Sequence, residues 1–74
     1  MRTYRTLVAA RLIVNLRSGT AIEGYLVREM GGLLFLRQAV VHEPGAQPAP
    51  ADGEVIVERR NIDFIQRPDL EVSS

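Results

Sequence analysis

The chain has no cysteine, no tryptophan and no lysine, and each absence closes off a class of explanation. Without cysteine there can be no disulfide, no zinc ribbon and no thiol nucleophile. The single histidine, His42, cannot build a metal cage without a second nitrogen or sulfur ligand, so no metal and no cofactor is expected. Only Tyr4, Tyr25, Phe35 and Phe64 are aromatic, too few to line the clustered groove of a peptide-binding SH3-type module. Charge of one sign is missing as well: nine basic residues face nine acidic ones. Duplex-DNA binders draw much of their affinity from neutralising phosphates, so a nucleic-acid site on this chain would have to be local. No long apolar run occurs, because arginine or glycine interrupts each within a few residues. The pattern therefore predicts no membrane segment and no signal peptide, and a cytoplasmic location, or a particle-associated one if the protein is phage-encoded.

Arginine supplies every basic residue. Codon usage in a GC-rich genome is the favoured explanation, given the abundant Ala, Gly and Pro; selection for planar stacking and bidentate phosphate contacts is the alternative. The 74 residues make one domain, with a core over about residues 11–66. A chain this short buries only about 60–65% of its unfolded surface, so it is marginal alone. With disulfides and metals excluded, association is the remaining support.

Apolar residues alternate at Leu12, Val14 and Leu16, the period of a half-buried strand. Ser18-Gly19 is a turn signal, and Thr20 to Val27 reads as a second strand with Ile22, Gly24 and Leu26 on one face. Residues Arg28 to Gly32 read as the next turn. A third strand runs from Leu33 to Val41, apolar on both faces at its start. Residues 42–53, "HEPGAQPAPADG", read as a long Pro/Ala-rich loop, because Pro44, Pro48 and Pro50 cannot sit at the centre of a ladder. "EVIVER", from Glu54, reads as a fourth strand, Arg60-Asn61 as a corner, and Ile62 to Gln66 as a fifth strand. Pro68 ends the ladder, and residues 67–74 read as a loose tail. Tyr4, Leu7, Val8 and Leu12 sit near helical spacing, while Thr, Tyr and Val in the same segment also suit a strand extension.

Catalysis finds little support. His42 and Glu43 are adjacent and would point to opposite faces of a strand, and no serine has a plausible base. No small-molecule substrate is indicated, and the chain reads as no enzyme.

The order of these signals resembles the Sm-like (LSm) family. "LIVNLRSGTAIEGYL" is similar to its first motif, an alternating strand ending in Lys/Arg-x-Gly with a second glycine five residues on, here Arg17, Gly19, Gly24 and Leu26. "LLFLRQA" resembles the family's third strand, with Ala39 at the small position. "VIVERRNIDFI" resembles its second motif, with Asn61, Ile62, Phe64 and Ile65 in the closing strand. The resemblance implies an all-β fold, a five-stranded strongly bent antiparallel SH3-like or Sm-like barrel with one short N-terminal helix. Gly19 and Gly24 would be structural, Gly24 as the kink that lets the second strand serve both halves of the sheet.

It also implies a homo-oligomeric ring of six or seven copies, the fourth strand of one pairing with the fifth of the next. Val55, Ile56, Val57, Ile62, Phe64 and Ile65 would then form the interface. Single-stranded RNA is the ligand implied, held at a pore-side cluster of Arg28, Met30, Arg59, Arg60 and Asn61. The family's Asp/Asn pocket is not matched in Arg28 to Leu33, and its Arg-Gly pair is replaced by Glu58-Arg59. The alternative implied by those departures is a structural ring module with no nucleic-acid ligand.

Overall fold

The computed structural model describes residues 7–68. Five strands follow one another in sequence: β1 (Arg11–Leu16), β2 (Ala21–Met30), β3 (Leu33–His42), β4 (Ala49–Glu58) and β5 (Ile62–Gln66). A single 3₁₀ turn, Arg59–Asn61, joins the last two. All neighbours are antiparallel in one sheet of order β4-β3-β2-β1-β5, so β4 and β5 are its two edges. The fold is all-β, as the alternation implied.

The sheet bends where its register breaks. On β2, Gly24 faces Gln38 and Ala39 of β3 together, and Gln38 adopts φ +52° to take up the extra residue. A Cβ on Gly24 would lie 3.0 Å from the Arg37 carbonyl oxygen and 3.2 Å from the Ala39 Cα. Both are backbone atoms and cannot swing aside, so any larger residue would push the two strands apart by a few tenths of an ångström, and glycine suits this close approach. A second bulge at Val27 and a third, at Asp52-Gly53 of β4 opposite Gln38, add to the curl. The residues turned inward by this curl, Leu12, Val14, Leu26, Leu34 and Leu36, lose all contact with solvent, and Ile22, Ala39, Val57 and Ile62 close the core around them. At the N-terminal end Leu7 and Ala10 pack on this core, and the Ala9 and Leu26 amides donate to the Leu26 and Ala10 carbonyls. The expected helix falls on residues 1–10, of which 1–6 lie outside the described residues; Leu7 to Ala10 is a tight turn. Most of the expected tail, residues 69–74, also lies outside them.

Two segments differ from the sequence expectation. Arg28, Glu29 and Met30 are strand, paired with Phe35, Leu34 and Leu33, and the turn shrinks to Gly31-Gly32. Both glycines have positive φ, +56° and +84°, the geometry of a two-residue hairpin whose twist matches the strands beside it. The loop of residues 42–53 is likewise shorter. His42 belongs to β3, and Ala49, Pro50 and Ala51 pair with Val41, Val40 and Ala39. Pro50 is tolerated because β4 is an edge, where a nitrogen without a hydrogen facing outward breaks no ladder bond.

Candidate nucleic-acid interface

Three turns converge on one side of the bent sheet. The Arg17 amide after β1 donates to the Asn61 carbonyl at 2.8 Å, and the Arg59 amide donates to the Gly32 carbonyl at 2.8 Å. The β1–β2 turn and the β2–β3 hairpin are thereby both tied to the 3₁₀ corner. Between them lies an open groove of about 650 Å³ lined by Arg17, Gly31, Gly32, Leu33, Glu58, Arg59, Arg60 and Ile62.

Of the five residues expected to bind RNA, the groove gathers Arg59 and Arg60. Arg60 donates to Glu58 at 2.8 Å, and its backbone carbonyl accepts from the Arg17 guanidinium at 2.9 Å. Asn61 contributes a carbonyl to Arg17 rather than an amide to the groove wall. Arg28 stands elsewhere, on the outer face of the sheet. Its guanidinium lies 4.0 Å from the centre of the Phe35 ring and 3.6 Å from Glu54, so it caps an aromatic that is buried outside the main core. Met30 is exposed at the end of β2, away from the groove lining. The residue missed from sequence is Arg17. It belongs to a turn motif, and only the curl of the sheet brings that turn to the corner.

The expected interface residues divide by face. Val57 and Ile62 are core residues, and Val55 and Ile65 are half-buried against the core. Ile56 on β4 and Phe64 on β5 instead leave 54% and 53% of their surface exposed, one on each edge of the sheet. Gly19, with φ +98°, closes the β1–β2 turn through its amide to the Leu16 carbonyl.

Elsewhere, His42 meets Glu23 at 3.0 Å rather than its sequence neighbour Glu43, and the same carboxylate accepts from Arg11. This polar cluster spans β1, β2 and β3 on their outer face. Among the described residues no three metal-ligating side chains come together, and no helix is long and apolar enough to cross a membrane.

No family model matches the sequence, and no curated protein matches it. A search of solved structures does find the fold. A chain from the crystal structure of the NatC complex bound to CoA superposes with a TM-score of 0.73 at 24% identity, covering 92% of this chain and 90% of that one. At that identity the likeness is one of fold. It extends over nearly the whole of both chains.

Proposed function

We propose that this protein is a non-catalytic, Sm-like assembly subunit that pairs its two sheet edges with those of sister copies to close a ring. The observation that carries the reading is the pair of exposed apolar side chains, Ile56 and Phe64, on two edges that have no strand partner among the described residues. Uncovered edges of this kind are templates for further strand pairing, and proteins that keep them bare blunt them with charge, proline or covering segments. Pairing β4 of one copy with β5 of the next repeats the same rotation and closes a cyclic oligomer. The fold shared with a chain of the NatC complex fits a domain that works within a protein assembly. Sedimentation of the unaltered chain should give a multiple of 8.2 kDa. Ile56→Lys with Phe64→Lys should sediment as a monomer with an unchanged circular dichroism spectrum. A monomeric unaltered chain would overturn the reading.

One observation favours a second reading, single-stranded RNA as ligand. Arg17, Arg59 and Arg60 outnumber Glu58 in one groove, and a ring would repeat that excess around its axis. A fluorescent oligouridine or oligoadenine at modest salt tests it. Arg59→Ala with Arg60→Ala should weaken binding at least tenfold while leaving the oligomer intact. Unchanged affinity, or no binding by the unaltered chain, removes the RNA reading and leaves the assembly reading standing.

A further inference from the structure

We infer that the outer face of the sheet carries a binding pocket for a guanine base, built from the residues that the bulges push out of the ladder. The pocket lies within one chain. It therefore depends neither on a ring nor on the groove of Arg17, Arg59 and Arg60, with which it shares no lining residue.

The register breaks explain where it forms. β2 is interrupted at Val27, β3 at Gln38 and β4 at Asp52-Gly53, the last two directly across from one another. All four of these residues line one open pocket of about 680 Å³, and Tyr25 and Arg37, a cross-strand pair, complete its walls. That volume falls in the range of about 300–1,000 Å³ usual for small-ligand sites. A bulge re-aims the side chains beside it. Bending alone would be served best by glycine at position 38, because glycine takes a positive φ without strain. The chain instead holds Gln38 at φ +52° and turns its amide outward next to Arg37. Strained residues of this kind collect at binding sites.

The chemistry of the walls selects the ligand. Tyr25 and Val27 are 41% and 36% exposed and offer a flat apolar surface, on which a base can stack. Among the described residues, neither the Arg37 guanidinium nor the Asp52 carboxylate makes a hydrogen bond or an ion pair. The neighbouring Arg28, by contrast, is held by Phe35 and Glu54. A simple anion in the pocket would meet Asp52, and a cation would meet Arg37. An apolar molecule would take water from both and return nothing. A flat ring with acceptors on one edge and donors on the next satisfies them together. Guanine has that order: O6 and N7 accept from an arginine, while N1–H and N2–H donate to a carboxylate. Adenine would set its N1 acceptor against Asp52 and its amino group against Arg37. Cytosine gives the carboxylate one donor group where guanine gives two.

Guanosine, adenosine, cytidine and inosine monophosphates, titrated into the full chain by calorimetry, test this. Guanosine monophosphate should bind once per chain, with the adenosine and cytidine nucleotides at least about tenfold weaker. Inosine monophosphate, which lacks the 2-amino group, should fall between. Asp52→Asn should erase the preference for guanine over adenine, because an amide can donate to adenine N1. Arg37→Gln should weaken the guanine nucleotide about tenfold, and Tyr25→Leu should weaken every base alike, each with an unchanged melting curve. Arg59→Ala with Arg60→Ala, and the Ile56→Lys with Phe64→Lys variant, should bind it as the unaltered chain does. A free nucleotide and a single strand present the same base edge. Tighter binding of an oligoadenine carrying one guanine would assign the pocket to a strand, tighter binding of the mononucleotide to free nucleotides, and either order confirms the base. Equal affinity for the guanine and adenine nucleotides on the unaltered chain, or no binding of the guanine nucleotide at millimolar concentration, overturns the inference whether or not the variants fold. Loss of binding in the Arg59 and Arg60 variant moves the site to the other groove and overturns it too. None of these results touches the assembly reading, which the mass of the unaltered chain decides.

Discussion

At the crossing of β2 and β3, Gly24 lies so close to Arg37 and Ala39 that a methyl group would press on backbone at 3.0 and 3.2 Å. At the edges of the same sheet, Ile56 and Phe64 leave more than half of their surface in water. The first region is sealed by the chain itself, and the second has the composition of an interior without the cover. In a domain this small the two are linked. The sheet bends sharply to enclose a core of leucines and valines, and β4 and β5 do not pair with each other within the chain. Part of the apolar surface therefore stays exposed along those edges.

Substitutions in the two regions should behave differently, and the contrast can be broken. Leu36 has no solvent exposure, so Leu36→Ala should cost about 3 kcal/mol in denaturant unfolding and unfold part of the population at room temperature. Gly24→Val should cost about 2 kcal/mol or more, because the added Cβ meets backbone and the sheet has to open to admit it. Gly24→Ala should fall between that variant and the native protein. Phe64→Ala should act the other way round. In solutions dilute enough to separate the copies it should cost under about 1 kcal/mol, and at higher concentration it should lower both the mass and the concentration-dependent part of the melting temperature. If Phe64→Ala unfolds the separated chain as readily as Leu36→Ala, the edge is part of the core and the contrast fails. If Gly24→Val melts with the native protein, the crossing is looser than its contacts indicate.

The central part of the fold was legible in the sequence because alternation and glycine punctuation carry local information. Leu12, Val14 and Leu16 announced β1, and the glycine inside the second strand announced its kink. The start of β4 was not legible. Proline argues against a ladder everywhere except at an edge, and which strand forms the edge is set by the order of the whole sheet. The Arg28 to Gly32 stretch misled for a related reason. Its two glycines are enough to turn the chain, so the charged residues before them remain in β2, where Arg28 covers Phe35. The candidate groove was half legible. Arg59 and Arg60 are neighbours in sequence, but Arg17 joins them only through the curl of the sheet. Among the expected interface residues, alternation could not say which apolar face of β4 and β5 turns inward. Val57 and Ile62 went to the core, and Ile56 and Phe64 to the surface.

Amide hydrogen exchange at two protein concentrations tests most directly whether sister copies cover these edges. At high concentration the outward-facing amides of residues 54–58 and 62–66 should be protected to a degree approaching those of β2. On dilution they should become exchangeable, while the amides around Gly24 stay protected. Exchange at the two edges that is equally fast at both concentrations would mean that no copy covers them, and would contradict the account.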